Sequence, residues 1–219
     1  MAPSSSSPSV TQSVTEVRHP LARHKLGLLR ERTTSTADFR RLVDELTLLL
    51  TYEATKDFPT EDVDVETPLE RAPMPRISGK KVAVCPILRA GLGMLDGVLD
   101  LISGARVGFI GLYRNEETLQ PVEYYVKLPA DVADRDVILL DPMLATGNST
   151  AHAVRLVKDA GATSVRLVSI IAAPEGIDRV LGEYPDVQIV VAAVDRGLNE
   201  KGYIVPGLGD AGDRLYGTK

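Results

Sequence analysis

The sequence predicts an α/β domain: a mostly parallel five-stranded sheet with helices on both faces. Two observations carry this expectation. First, five short apolar runs alternate with helical stretches: Val82–Pro86, Arg106–Leu112, Val137–Leu140, Val165–Ala172 and Val187–Val194. Strands buried on both faces read as continuous apolar runs of this kind, and parallel strands need crossover helices between them. Second, 219 residues with 44% hydrophobic and 25% charged content suffice for one well-buried domain with extensions.

Taken in order, residues 1–14 are expected to be a disordered tail and 15–219 the folded domain. The tail begins MAPSSSSPSVTQS, Ser/Pro-rich and without the basic start and apolar core of a signal peptide. Pro20 to Arg32 reads as a short helical arm. Thr36 to Thr55 reads as a longer helix, capped by Ser35 or Thr36, with Phe39, Leu42, Val43, Leu46, Leu49 and Leu50 as its apolar stripe. Residues 57–79 hold several prolines and alternate charge with apolar residues, which suits irregular strands or a loop. The core pattern follows, with a helix over about 91–102 after its first strand. A long polar and aromatic flap occupies 113–128, one helix follows the third strand, and another covers 175–184. The C-terminal stretch from Gly197 is glycine-rich, but Tyr203, Ile204, Val205, Leu208 and Tyr216 give it the means to fold back.

The net charge of −5 argues against a nucleic-acid partner, which calls for a basic footprint. The longest apolar runs are too short to span a membrane. A single cysteine, Cys85, excludes an internal disulfide framework and suits a cytoplasmic protein; its place in an apolar run suits a buried structural thiol. His19, His24 and His152 show no metal-ligand spacing.

The most informative stretch is VILLDPMLATGNST, Val137 to Thr150. A buried strand ends at an acid, Asp141. A loop of small and hydroxylated residues leads into a helix whose first N–H groups lack internal partners, which makes an anion site. The GxxxxGK[ST] and GxGxxG patterns are both absent. A carboxylate repels phosphate, so Asp141 should serve another group, such as sugar hydroxyls. In such sheets ligands bind at the carboxyl ends of the strands. Those ends carry Pro86-Ile87-Leu88-Arg89, Tyr113-Arg114, Asp141 and Asp195-Arg196. Arg89 can fork onto phosphate oxygens, or pair with Asp96 or Asp100 on the following helix. Arg114 opens the flap, which is either a solvated hairpin or a functional cover.

The string DPMLATG resembles the phosphoribosyl-pyrophosphate (PRPP) signature of type I phosphoribosyltransferases, in the form seen in uracil phosphoribosyltransferases. PILRAGLGM is similar to that family's pyrophosphate loop, YRNEETLQPVEYYVKLP to its mobile hood, and GYIVPGLGDAGDR to its uracil-recognition segment. The resemblance covers most of 15–219. It implies a type I phosphoribosyltransferase-like fold and the reaction uracil + PRPP → UMP + diphosphate, a pyrimidine-salvage step. It implies PRPP contacts at Arg89, Arg114, Asp141, Pro142, Met143, Leu144, Ala145, Thr146, Gly147, Asn148, Ser149 and Asp210. It implies uracil contacts at Ile204, Gly209, Asp210 and Ala211, and direct roles in the reaction for Asp141, Arg114 and Asp210. It also implies Mg²⁺ bound mainly through PRPP and water, a homodimer or larger homo-oligomer and, in some members, a GTP effector and allosteric control. No residue stands out as a general base. The family typically reads ATGGS where this chain reads ATGNS, so Asn148 stands in place of a glycine; asparagine is the best-tolerated replacement if that position needs φ > 0. The alternative is a nucleotide- or RNA-binding regulator on the same fold.

Overall fold

A computed structural model of the chain describes residues 13–79, 82–114 and 121–218. The predicted parallel core is present. Its strands are β4 (Val82–Leu88), β6 (Phe109–Arg114), β8 (Asp136–Leu140), β10 (Ser164–Ala172) and β11 (Gln188–Val194). They lie in the order β11-β10-β8-β4-β6, all parallel. Two further strands extend this core. β1 (Val14–Glu16) adds in parallel to β11, and β7 (Pro121–Lys127) pairs antiparallel with β6. Two-residue strands complete the sheet: β5 (Arg106–Val107) on β4 and β9 (Met143–Leu144) on β10.

Strand alternation sorts the core into two layers. Val82, Val84, Ile138 and Leu140 face one side with Leu46, Leu50 and Val98. Ala83, Cys85, Val137 and Leu139 face the other with Val154, Val157 and Val180. The first layer is covered by α1 (Pro20–Arg30), α2 (Thr36–Ala54), α3 (Leu95–Leu101) and α6 (Ala211–Tyr216); the second by α4 (Asn148–Asp159) and α5 (Pro174–Glu183). Sheet faces need such apolar cover on both sides. Burial pushes the Cys85 thiol up to about 12, which fits an inert structural role. No helix among the described residues is long and apolar enough to cross a membrane.

Several expected boundaries shift. The tail was expected to reach residue 14, but Val14 pairs with Ile189 in β1, covering the edge of β11; residues 1–12 lie outside the described residues. The expected strand Arg106–Leu112 is divided at Gly108, whose N–H donates to Val84 O at 2.9 Å. A Cβ at Gly108 would lie 2.8 Å from Cys85 Sγ, so the strand turns where only glycine fits. Residues 57–79 contain a regular hairpin, β2 (Thr60–Glu66) with β3 (Arg71–Ile77). It is a separate two-stranded sheet, so Pro73 and Pro75 interrupt no central ladder. The helix expected over 91–102 starts as a 3₁₀ turn at Ala90–Met94 before α3. Ser35, rather than Thr36, caps α2, accepting from Asp38 N at 3.1 Å.

Strand order reverses at β4. The chain moves from β4 to β6 on one side, then returns to β8 on the other. The carboxyl ends of β4 and β8 therefore border a topological switch point, where an open α/β sheet leaves a crevice.

Candidate active site

The Asp141 loop forms one wall of this crevice. Asp141 N donates to Val168 O at 3.3 Å, and Pro142 O accepts from Ile170 and Ile171. β9 then rejoins the sheet beyond the end of β8, so the segment is anchored strand rather than free loop. The Asp141 side chain accepts at Oδ1 from Met143 N and at Oδ2 from Thr150 Oγ1, both at 3.3 Å. Burial pushes its carboxyl up to about 6, against the opposing pull of those two hydrogen bonds. It is a poorly hydrated acceptor, suited to hydroxyl donors.

The small residues that follow are dictated by packing. Gly147 has φ +78°, and a Cβ there would meet Gly176 O at 2.7 Å. A Cβ on Gly176 would meet Ala145 O at 2.4 Å. The loop is thus pressed against the first turn of α5. Asn148 is the first residue of α4, so the position with positive φ is Gly147 and asparagine sits in ordinary helical backbone. Its Oδ1 accepts from Arg179 Nε at 3.2 Å. The first bond of the helix runs from Ala151 N to Gly147 O, which leaves the N–H groups of Asn148, Ser149 and Thr150 ahead of it. These groups, with the helix dipole, suit an anion.

Arg89 stands at the end of β4, exposed, across the crevice. The Leu88–Arg89 peptide is cis. A Cβ on Gly91 would lie 2.2 Å from Leu140 O, so this loop packs directly on the strand that carries Asp141. Arg89 O accepts from Tyr216 Oη at 2.9 Å, which joins it to α6. Arg114 is the last residue of β6, three positions beyond Gly111, which pairs with Leu88. Its backbone is therefore at the same end of the sheet. Its side chain and hood residues 115–120 lie outside the described residues.

The C-terminal segment closes the crevice. β12 (Gly197–Leu198) and β13 (Ile204–Val205) form a small hairpin, and α6 follows. Asp210 caps α6, its Oδ1 accepting from Asp213 N at 2.9 Å. Gly209 has φ +80° and is exposed, while Ile204 and Ala211 are buried. Ala211 is part of the core beneath α2, so its methyl faces inward.

The chain's similarities can be set beside this geometry. The family model for uracil phosphoribosyltransferase matches residues 16–218. The chain belongs to the uracil phosphoribosyltransferase family. A uracil phosphoribosyltransferase of Clostridium botulinum strain Hall is 59% identical over 206 residues, covering 94% of this chain and 99% of the relative. That of strain Eklund 17B shows the same identity and coverage. The solved structure of AQ2163 protein from Aquifex aeolicus matches with a TM-score of 0.90 at 42% identity, over 94% of this chain and 99% of that one.

Seen as a uracil phosphoribosyltransferase, the chain brings together the Asp141 loop, the Arg89 loop and the segment from Ile204 to Ala211. Sequence reading places Asp195 at a strand end and Thr150 in the loop but gives no supporting role to four side chains. Thr150 is buried and holds Asp141. Arg179 holds Asn148. Arg30 and Asp195 pair beneath the C-terminal segment. Thr150, a hydroxyl on the first turn after the loop, and Asp195, at the carboxyl end of a predicted strand, left local signals; Arg30 and Arg179 left none. His152 is also more engaged than expected: its Nε2 is 2.5 Å from Glu123 Oε1, tying α4 to hood strand β7.

Proposed function

We propose that the chain transfers the phosphoribosyl group of PRPP to uracil, giving UMP and diphosphate. The observation that carries this reading is the meeting of the Asp141 loop, the Arg89 loop and the 204–211 segment around the β4/β8 crevice, in a chain of this family. Uracil N1 attacks the anomeric carbon while the bond from that carbon to the diphosphate oxygen breaks, and the N1 proton is lost. The N–H groups at the start of α4 and the loop residues Pro142 to Ser149 hold the 5′-phosphate and so fix the anomeric carbon. Asp141 accepts the ribose hydroxyls. Arg89 and Arg114 face the diphosphate, whose negative charge grows as it leaves. Main-chain groups at Ile204, Gly209, Asp210 and Ala211 pair with the polar edge of uracil. No side chain is assigned as a general base.

Mg²⁺ fits this donor set. Asp141 and Asp210 supply hard carboxylate oxygens, whereas no group of three His, Cys, Asp or Glu among the described residues forms a protein cage. That pattern suits an ion held mainly by substrate phosphates and water, with Asp210 facing PRPP through the ion or the diphosphate. When bound, it neutralises charge on the diphosphate.

The reading extends to a cytoplasmic homo-oligomer with GTP as an effector. The alternative of a nucleotide- or RNA-binding regulator is not favoured by membership of an enzyme family. Steady-state assays with PRPP and each of uracil, orotate, adenine and hypoxanthine test the reading. UMP formation from uracil alone is expected, abolished by EDTA and restored by Mg²⁺. Preference for another base would overturn the substrate assignment, and full turnover in EDTA would overturn the metal.

A further inference from the structure

Arg30 ends α1, and Asp195 lies at the carboxyl end of β11, 165 residues away. Their side chains are 21% and 5% exposed. Arg30 Nη2 donates to Asp195 Oδ1 at 2.6 Å and Nη1 to Oδ2 at 2.8 Å. Nη1 also donates to Gly207 O at 2.7 Å. Gly207 N donates to Asp195 Oδ2 at 2.9 Å. Both main-chain polar groups of Gly207 are thus held by one ion pair. Asp195 is itself fixed to the sheet, its N–H donating to Ala172 O at 2.8 Å.

Gly207 is a tight point in the segment. Its φ is +66°, and a Cβ there would lie 2.1 Å from Ile204 O. The carbonyl of Ile204 and the backbone of Gly207 therefore move together, and residues 208–211 follow directly. A second arginine adds to the same clasp. Arg214 donates to Leu29 O and Leu208 O at 2.8 Å, and to Glu31 O at 2.6 Å.

We infer that Arg30, acting through Asp195 and Gly207, is a positioning residue that sets the geometry of the base-recognition segment. This rests on the reading that residues 204–211 contact uracil. The function requires a guanidinium. One planar fork spans both carboxylate oxygens and the Gly207 carbonyl, which a single ammonium on a flexible stem does not reproduce. The side-chain hydrogen bonds of this pair go to each other and to Gly207, whereas the phosphate loop is tied to β10 by its own main-chain bonds, such as Ala173 N to Leu144 O, so the effect falls chiefly on the base.

The experiment compares Arg30→Lys with Gly209→Ala, which alters backbone at a proposed base contact. A Cβ at Gly209 would lie 3.6 Å from Arg214 Cδ, an ordinary contact, so the variant acts through the strain of a side chain at φ +80° rather than through a clash. KM for uracil, kcat, uracil-over-cytosine selectivity and calorimetric PRPP affinity are measured for each. Arg30→Lys is expected to raise KM for uracil by about 10-fold or more and to lower base selectivity, with PRPP affinity within about 2-fold. If Arg30→Lys does not fold, Asp195→Asn carries the same expectation. Gly209→Ala moving uracil KM while a folded Arg30→Lys or Asp195→Asn leaves it unchanged would overturn the positioning role and leave the base assignment standing. Neither variant moving uracil KM would overturn both. Equal losses for uracil and PRPP would mark the pair as merely structural and also overturn the inference.

Discussion

Thr150 Oγ1 donates to Asp141 Oδ2 at 3.3 Å, from the first turn of α4 back to the end of β8. One hydroxyl thus orients the carboxyl assigned to the ribose, and does so from the helix assigned to the phosphate. The bond opposes the burial that raises the Asp141 pKa but does not cancel it. A group held in this way carries a stability cost at neutral pH.

That cost is measurable. With the folded carboxyl at about 6 and an ordinary value of 3.8, the native state binds more protons than the unfolded one between these values. Stability contributed by this site therefore falls as pH rises through that window. Asp141→Asn removes the charge, and the Thr150 hydroxyl can turn to accept from the new amide. The variant should be more stable than wild type at pH 7.5, by up to about 3 kcal/mol, and equal to it at about pH 3, below both values. Denaturant melts at the two pH values check this, and a less stable variant at pH 7.5 would refute it.

The same titration should appear in binding. If Asp141 must be ionised to accept ribose hydroxyls, PRPP affinity should weaken as pH falls below about 6. Calorimetry from pH 5 to 8 follows the step. Its persistence in Asp141→Asn would assign it to the phosphates of PRPP instead.

Arg114 should act on the leaving group. Diphosphate gains charge as it departs, so Arg114→Ala should lower kcat more than it raises KM for PRPP, by roughly 10²-fold or more. A change confined to KM would mean that the arginine binds only the ground state.

Asn148 should be tolerant. Because Gly147 takes the positive φ and Asn148 is turned to Arg179, Asn148→Gly should keep kcat/KM for PRPP within about 3-fold and cost less than about 1 kcal/mol of stability. A loss above about 10-fold would make the Asn148 side chain a phosphate ligand.

The parallel core was legible because apolar runs report burial on both faces, and the Asp141 loop because its elements are contiguous. What stayed hidden is non-local. β1 is three residues long and is defined by Ile189 to Val191, its partners far along the chain. The β2–β3 hairpin exposes most of its side chains, so no clean alternation marks it. Ala211 entered only through the resemblance, and its burial beneath α2, which its small side chain permits, is a tertiary fact that no local pattern carries. Arg30 lay unremarked within the predicted helical arm, since nothing within ten residues of it names Asp195.

The clasp between α1 and the C-terminal segment also bears on the order of assembly. Its bonds join residues separated by 165 and 185 positions in the chain. Contacts of such span carry the largest loop-closure entropy and form once shorter-range structure has reduced it. Apart from β1, whose partners in β11 lie as far along the chain, the sheet with its phosphate loop is assembled from nearer neighbours. During refolding, the molecule should therefore acquire its grip on a sugar phosphate before its ability to choose a base, and amide protons of residues 204–211 should be the last at the crevice to gain protection from exchange.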